Sequence, residues 1–259
     1  MMAKVLMKGN EALAEAAIMA GCKHFFGYPI TPQTELAAYM AKKMPKIGGV
    51  YLQAESEIAA INMVLGASAA GKRAMTSSSS PGISLKAEGI SYIAGSDLPA
   101  VIVNVQRGGP GLGGIQPSQA DYWQATKATG HGDFHLMVYA PSTVQEMMDL
   151  VRLAFDNADK YRMPVMILSD GMLGQMMEPV EIKKEEAAEP IEKPWAACGH
   201  NNKRAHNVVN SLYLTPQALE ALVKERYLKY DQIKKTEQMA DEYMTDDADI
   251  IIVAYGASS

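Results

Sequence analysis

The sequence predicts an α/β fold in which a mostly parallel sheet is covered by helices on both faces. One reason is that short apolar runs alternate with segments of helical periodicity along residues 10–168, and strands separated by helices form parallel sheets. The other is that a chain of 259 residues, 48% of them hydrophobic, can bury the core of one such domain.

Each predicted element corresponds to one apolar or amphipathic segment. In chain order we predict a helix at 10–20, a strand at 24–27, a helix at 34–43, a strand at 49–53, a helix at 56–71, a strand at 73–76, a helix at 82–94, a strand at 99–105, helices at 117–128 and 143–159, and a strand at 164–168. Together these elements define a first domain at residues 1–181.

The composition changes after this domain. Residues 182–247 are predicted to form a linker arm, because a charged stretch ending in proline is followed by a long charged helix that starts at Thr215-Pro216. Residues 249–255 (DIIIVAY) are predicted to be a buried parallel strand. Such a strand normally leads into a helix and another strand, so we expect a second α/β domain to begin at residue 248 and the chain to be part of a longer subunit.

Composition and charge argue against several classes of protein. A formal charge of −5 without a basic stripe argues against a nucleic-acid partner. No apolar run approaches the roughly 20 residues of a membrane-spanning helix, and no signal peptide is recognisable, so we predict a cytoplasmic protein without a membrane partner. Cys22 and Cys198 are too few to hold an iron–sulfur cluster or a structural zinc ion.

The most distinctive segment is residues 27–32, which read GYPITP. Its two prolines fix their own φ angles and disfavour helical backbone at the residues before them. Thr31 should therefore present its hydroxyl from a rigid loop. Because that loop follows the predicted strand at 24–27, it should lie at the carboxyl edge of the sheet, where open α/β folds bind ligands.

A pair of glutamates stands at another strand end. Glu55 and Glu57 lie where the strand at 49–53 gives way to a helix. A carboxylate in the first turn of a helix is stabilised by the helix dipole. That stabilisation alone would account for either glutamate, and a catalytic role is the second interpretation.

Residues 76–82 (TSSSSPG) follow a short strand and precede a helix. One interpretation is a cradle of hydroxyls and amide N–H groups for an anionic or polar ligand at a helix N-terminus. The other is a flexible turn with a capping serine. The sequence leaves both open.

Arg107 ends the strand at 99–105 and opens a loop with five glycines within residues 108–114. The planar guanidinium suits a carboxylate, and the glycines would let a ligand approach the backbone. The phosphate-binding pattern G-x-x-x-x-G-K-[ST] is absent from the sequence, so a nucleotide is not implied.

These four segments occur in the same order in the α subunits of 2-oxoacid:ferredoxin oxidoreductases. The chain resembles that family over residues 5–181, most closely the branched-chain members that use 2-oxoisovalerate (3-methyl-2-oxobutanoate). The segment at 249–255 resembles the start of the family's next domain. The resemblance implies a thiamine diphosphate-binding fold, with residues 1–181 as the pyrimidine-binding domain.

The resemblance also implies roles for particular residues. In the family a glutamate hydrogen-bonds N1′ of the aminopyrimidine. Aligning the family's motifs from two different starting points selects two different glutamates of this chain. Counting back from Gly71 selects Glu57, whereas counting from Gln53 selects Glu55; we assign Glu57, because helices tolerate gaps less well than loops. The implied catalytic residues are Glu57, Thr31 and Arg107. The implied cofactor-binding residues are Glu57, Tyr28, Pro29, Ile30 and Thr31. Thr31 and Arg107 are implied to bind the substrate, with the arginine at its carboxylate.

The reaction implied is the oxidative decarboxylation of a 2-oxoacid to acyl-coenzyme A and CO₂ with reduction of ferredoxin. Coenzyme A is then a co-substrate, and thiamine diphosphate is shared with a partner. The family's diphosphate and magnesium motif, G-D-G followed by asparagine, is not found in the sequence. We therefore expect a β subunit to supply the diphosphate and Mg²⁺ site and partner subunits to supply the iron–sulfur cluster, in a hetero-oligomer with dimerisation, and we expect the isolated chain to be inert.

Two alternatives remain from the sequence. The chain could belong to a member of the family that uses 2-oxoglutarate or pyruvate, since pocket shape selects the substrate. It could also be a non-catalytic scaffold subunit with vestigial sites. The combination of Thr31, Glu57 and Arg107 at strand ends argues against the scaffold.

Overall fold

The computed structural model describes residues 4–182 and 191–259. Strands and helices alternate through most of the chain. The strands are β1 (Lys4–Lys8), β2 (His24–Gly27), β3 (Val50–Gln53), β4 (Ala74–Ser78), β5 (Ala100–Gln106), β6 (Met137–Tyr139), β7 (Pro164–Asp170) and β8 (Met177–Glu181). The helices are α1 (Gly9–Met19), α2 (Thr34–Lys43), α3 (Glu57–Ala69), α4 (Ser80–Gly95), α5 (Tyr122–Thr126), α6 (Val144–Tyr161), α7 (Gly171–Gln175) and α8 (Pro216–Thr236), with 3₁₀ turns at Met44–Ile47 and Gly256–Ser258.

Six of the strands form one parallel sheet in the order β3-β2-β4-β5-β7-β6. β1 and β8 form a separate antiparallel pair. The chain moves outward from β2 to β3 and then returns to place β4 on the other side of β2. The strand order therefore reverses between β2 and β4, and in open α/β sheets ligands bind outside the carboxyl ends of the strands at such a reversal.

Two hydrophobic cores lie on opposite faces of the sheet. Successive side chains of a strand point to opposite faces, and β5 shows this directly: Val101, Val103 and Val105 enter the core that contains α1, α2 and α6, whereas Ala100 and Ile102 enter the core that contains α3 and α4. β4 follows the same rule, with Met75 in the first core and Ala74 in the second. The α/β fold with a parallel sheet covered on both faces is confirmed.

The start of α3 is fixed by its own cap. Ser56 has extended backbone and its Oγ accepts a hydrogen bond from the N–H of Ala59 at 3.1 Å. A serine cap of this kind satisfies one of the four unpaired donors at a helix N-terminus. It places Glu57 in the first turn, at the carboxyl edge of the sheet.

Four short elements were not predicted, namely β1, β6, β8 and α7. β1 and β8 pair although they lie at opposite ends of the domain sequence, with Lys4 opposite Glu181. No local turn connects them, so the sequence near either strand gives no sign of the pairing. β6 is only three residues long. The predicted helix at 117–128 shortens to α5, because Pro117 is held in an isolated bridge with Arg107 and proline donates no backbone hydrogen bond.

The predicted strand at 249–255 is wrong for this structure. Among the described residues this segment has no strand partner, and Ile252 and Val253 are 88% and 92% exposed. A parallel strand needs a neighbour to satisfy its backbone groups, and within the described ranges no strand pairs with this segment. The assignment of residues 248–259 to a second domain stays a prediction.

The predicted arm, 182–247, contains α8, and residues 183–190 lie outside the described part of the chain. Asp97 anchors the helix to the domain by accepting hydrogen bonds from Arg226 and from Lys229, the latter at 3.1 Å. Tyr230 is the residue of α8 that is buried. In the two described ranges, no helix is both long enough and apolar enough to cross a membrane.

Candidate active site

The predicted site residues lie at the carboxyl ends of β2, β3, β4 and β5. The loop after β2 leads to α2 on one face of the sheet, whereas the segment after β4 leads to α4 on the other face. Gln33 and Ser77 bridge these two strand ends, the Ser77 hydroxyl donating to Gln33 Oε1 at 2.6 Å. The residues therefore surround the strand-order reversal, which is the position where this type of sheet binds ligands.

The loop at 28–33 is held from beneath by buried side chains. Gln33 is completely buried and its Nε2 donates to the carbonyl of Tyr28 at 3.3 Å. Asn10 donates from α1 to the carbonyl of Pro32 at 2.8 Å. Thr31 itself is exposed. The loop thus has the rigidity predicted from its prolines, although much of its support comes from residues distant in sequence.

Arg107 is buried, with 7% of its surface exposed. Its Nη1 donates to the carbonyl of Thr31 at 3.1 Å and its Nη2 to the carbonyl of Leu112 at 3.0 Å. Its Nε has no hydrogen-bond partner among the described residues. A guanidinium carries five N–H donors, so Arg107 joins the two loops and still has donors to offer a ligand.

The serine-rich segment is neither flexible nor loosely packed. Residues 76–80 are all buried, and Ser79 at the N-cap position of α4 makes no side-chain cap bond, so the interpretation as a flexible turn with a capping serine is wrong. Ser80 Oγ donates to Asp121 at 2.5 Å and accepts from the backbone N–H of Arg107 at 3.0 Å. The anion-cradle interpretation stays a prediction.

The structure separates the two candidate glutamates. Glu55 is exposed, whereas Glu57 is 6% exposed. Glu57 faces α4 where that helix carries Gly82, since a Cβ built on Gly82 would lie 2.8 Å from Glu57 Oε1 and 2.0 Å from Ser78 Oγ. The glycine is therefore needed for the close approach of α3, β4 and α4.

Lys86 lies in the same region and was missed by the sequence analysis. It is completely buried on α4, and its Nζ has no hydrogen-bond partner among the described residues. Burial lowers the pKa of Lys86 to about 8, although the Glu57 carboxylate acts in the opposite direction. A signal was present in the sequence, because Lys86 stands between Ile83 and Ile90 on the apolar face of the helix.

The predicted residues form two groups. Thr31 and Arg107 are in direct contact through a hydrogen bond. Glu57 lies instead beside Ser78 and Gly82, and within the described residues no hydrogen bond joins it to Thr31 or Arg107. Polar residues that brace the site were also missed by the sequence analysis: Asn10, Gln33, Asn104, Gln106 and Asp121.

The residues present fit one end of thiamine diphosphate. Glu57, 6% exposed and without a hydrogen bond from another described side chain, is the chemical partner that N1′ of an aminopyrimidine requires, and the Nε of Arg107, which has no partner among the described residues, is suited to an anionic oxygen. Within residues 4–182 and 191–259, no three His, Cys, Asp or Glu side chains are grouped so that they could hold a metal ion. The assignment of Mg²⁺ to a partner subunit stays a prediction.

Comparison with known proteins places these observations in a family. Residues 15–245 match the family described as pyruvate flavodoxin/ferredoxin oxidoreductase, thiamine diphosphate-binding. The chain belongs to this family of 2-oxoacid oxidoreductase subunits.

Individual relatives agree with this. The chain is 51% identical over 258 residues to ketoisovalerate oxidoreductase subunit VorB of Methanothermobacter thermautotrophicus, covering 100% of this chain and 73% of that protein. It is 38% identical to 2-oxoglutarate synthase subunit KorA of Methanocaldococcus jannaschii, covering 98% of this chain and 75% of the relative.

A solved structure gives the same result for the fold. The 2-oxoglutarate:ferredoxin oxidoreductase from Magnetococcus marinus, with 2-oxoglutarate, coenzyme A and succinyl-CoA bound, superposes with a TM-score of 0.77 at 32% identity. The match covers 92% of this chain and 46% of that one. This chain therefore spans less than half the length of the solved subunit.

Proposed function

We propose that this chain is a subunit of a thiamine diphosphate-dependent 2-oxoacid:ferredoxin oxidoreductase that acts on 2-oxoisovalerate. The observation that carries the proposal is the identity of 51% to a ketoisovalerate oxidoreductase subunit across the whole chain, together with a buried glutamate and a buried arginine at the strand-order reversal.

Glu57 is assigned to the aminopyrimidine. When bound, thiamine diphosphate supplies a carbon nucleophile that attacks the 2-oxo group. The part of this chain is to hold a carboxylate at N1′ in a dry environment, where a hydrogen bond to a charged group is stronger than in water. The burial of Glu57 and the exposure of Glu55 support this assignment.

Arg107 is assigned to the substrate carboxylate, which all 2-oxoacids share. Its contacts with the carbonyls of Thr31 and Leu112 fix the guanidinium plane, and a fixed plane favours a two-point contact with a carboxylate. Thr31 stands next to it on an exposed loop, and its hydroxyl is assigned to the region where substrate meets cofactor. Tyr28, Pro29 and Ile30 are assigned to the cofactor face of the same loop.

Partner subunits supply the rest of the reaction. We assign the diphosphate and Mg²⁺ site to a β subunit, the iron–sulfur clusters to partner subunits, and the roles of electron acceptor and acyl acceptor to ferredoxin and coenzyme A. The printed names of the relatives as subunits of oxidoreductases support such an assembly.

The test is steady-state turnover of the reconstituted complex with a panel of 2-oxoacids and a viologen acceptor. The proposal expects 2-oxoisovalerate to give the highest kcat/KM. Preference for 2-oxoglutarate would instead support the second candidate, which the relatives at 38% identity favour. Failure to turn over any 2-oxoacid in a fully loaded complex would support the scaffold alternative.

A further inference from the structure

A group of polar side chains is enclosed between α3, β4 and α4. We define the buried polar cluster as Glu57, Thr76, Ser78 and Lys86. Lys86 is completely buried, and Thr76 and Ser78 also have no exposed surface. The Nζ of Lys86 and the hydroxyl oxygens of Thr76 and Ser78 have no hydrogen-bond partner among the described residues.

Strand geometry places the cluster on one face of the sheet. Ala74 belongs to the core beneath α3 and α4, and residues two apart on a strand share a face. Thr76 and Ser78 therefore point toward these two helices. The distance of 2.0 Å between Ser78 Oγ and a Cβ built on Gly82 agrees with this direction.

Helix geometry directs Lys86 toward the same place. Side chains of a helix lean toward its N-terminus and over the residue four positions earlier, which for Lys86 is Gly82. Gly82 has no side chain to fill that space, and its Cβ position lies 2.8 Å from Glu57 Oε1. The lysine stem thus extends over the turn at which α4 touches Glu57.

A buried lysine is costly. An unpaired ammonium in an apolar core is strongly disfavoured, and a methionine of similar length would fill the same position without that cost. The structure pairs this lysine with a buried carboxylate through its electric field, while no ion pair within hydrogen-bonding distance joins the two among the described residues. Among the described residues, Glu57 is the charged group that acts on Lys86, and a costly residue in this position calls for a functional explanation.

We propose that Lys86 is a positioning residue for Glu57: its ammonium group is the charged partner that faces the carboxylate until an aminopyrimidine takes its place. This inference rests on the proposed role of Glu57. When the aminopyrimidine N–H engages the carboxylate, Lys86 loses the attraction that keeps it protonated. The proton that it gives up, as Lys-NH₃⁺ becomes Lys-NH₂, is the one that the N1′–Glu57 hydrogen bond requires, because N1′ of the free cofactor carries no hydrogen at neutral pH.

The sign of the pH dependence follows from the charges. Among the described residues, Glu57 is the charged group whose field acts on Lys86, and the hydroxyls of Thr76 and Ser78 do not titrate in the accessible range. Without cofactor, the pKa of Lys86 is about 8. Neutralising Glu57 lowers that pKa, so between the lower value and about pH 8 Lys86 supplies the proton of the N1′–Glu57 hydrogen bond, and above about pH 8 solvent supplies it.

The experiment is calorimetric titration of the cofactor-free reconstituted complex with thiamine diphosphate and Mg²⁺, in buffers of different ionisation enthalpy. It counts protons without using turnover. Wild-type complex should take up as much as about one proton fewer from solvent than Lys86→Met complex just below pH 8, with the difference vanishing at low pH. Lys42→Met, which removes an exposed lysine from α2, should keep the wild-type count.

Equal proton counts in wild-type and Lys86→Met complexes that both bind cofactor would overturn the inference. The wild-type complex alone can also overturn it, if its proton count does not change between about pH 7 and about pH 9. If Lys86→Met does not assemble, Lys86→Gln provides a neutral substitute with hydrogen-bonding capacity. The proposed role of Glu57 is tested separately. If the Glu57→Gln complex binds cofactor and exchanges the C2 hydrogen at the wild-type rate, that role is wrong. The proton count of Lys86→Met does not enter this test, so the two failures can be told apart.

Discussion

The two halves of the site satisfy their charged groups in different ways. Arg107 reaches two backbone carbonyls at 3.1 and 3.0 Å, beside an exposed loop. Lys86 is completely buried and its Nζ has no hydrogen-bond partner among the described residues, whereas Glu57 keeps 6% of its surface exposed. The arginine half is therefore already built by this chain, whereas the glutamate half contains charges that await a partner.

This difference separates an arginine that ties two loops together and can also bind substrate from a carboxylate whose structural support is the first turn of α3. Leaving a buried polar group unpaired costs about 1–3 kcal/mol, and more when it is charged. Hydrogen bonds to charged groups contribute about 1.5–3 kcal/mol. A ligand that pairs Glu57 thus recovers free energy that the folded chain alone does not.

The largest effect is expected from Glu57→Gln. A neutral amide cannot replace a carboxylate at N1′, so hydrogen–deuterium exchange at C2 of the bound cofactor should slow by about 10²–10⁴, the usual contribution of general acid–base groups. The measurement is quenched-flow exchange followed by NMR on the reconstituted complex. Exchange at the wild-type rate would contradict the assignment of Glu57.

Gly82→Ala tests how tightly the buried polar cluster is enclosed. The new Cβ would lie 2.0 Å from Ser78 Oγ and 2.8 Å from Glu57 Oε1, so side chains must shift. Overpacking of this kind costs about 1–3 kcal/mol, and thermal unfolding of the complex should show a lower Tm.

Gly66→Ala is the matched control for Gly82→Ala. It changes a glycine within α3 whose Cβ would meet no atom within 4 Å, so helix propensity should stabilise the variant by about 1 kcal/mol or less. If the Tm of the Gly82→Ala complex rose as the Tm of this control is expected to rise, the buried polar cluster would be loosely packed.

Arg107→Lys tests the other half of the site. Lysine cannot reproduce a planar two-point contact with a carboxylate, and loss of one such interaction raises KM about tenfold for each ~1.4 kcal/mol. We expect similar increases for all 2-oxoacids, with their ranking unchanged, since the carboxylate is common to them. Steady-state kinetics with the substrate panel measure this.

The control for Arg107→Lys is Arg204→Lys, which alters another arginine bound to backbone carbonyls, those of Ala196 and Gly199 among them. It lies outside the site and should leave KM unchanged. If Arg107→Lys lowers the Tm but not substrate affinity, Arg107 is a structural tie between its two loops.

The parts of the fold and site that could be predicted from the sequence are those encoded by residues close together in the chain. The alternation of strands and helices, the rigid loop at 28–33 and the arginine at the end of β5 all have local signals, and the structure contains each of them. The supports of the loop are distant: Asn10 is 22 residues from Pro32, and Gln33 is 44 residues from Ser77. Such pairs become visible only once the sheet brings them together.

The burial of Lys86 had a sign in the sequence, but a more common explanation for that sign exists. A single lysine within an apolar helical face is consistent with a side chain that reaches solvent with its charged end. Whether it does so depends on what covers the helix, and here α3 and β4 enclose it. The segment at 249–255 shows the opposite error, since its apolar run gave a strong strand signal without a strand beside it.

The smallest effect is expected from Glu55→Gln, and it decides between the two glutamates. Glu55 is exposed just before α3, whereas Glu57 is buried two residues later. Surface substitutions away from packed features usually change free energies by within about 0.5 kcal/mol, so the C2 exchange rate should stay within about twofold of wild type. The same quenched-flow measurement applies to both variants. If Glu55→Gln instead slowed C2 exchange greatly and Glu57→Gln exchanged at the normal rate, the N1′ contact would belong to Glu55. Lys86 would then face a carboxylate that has no catalytic role.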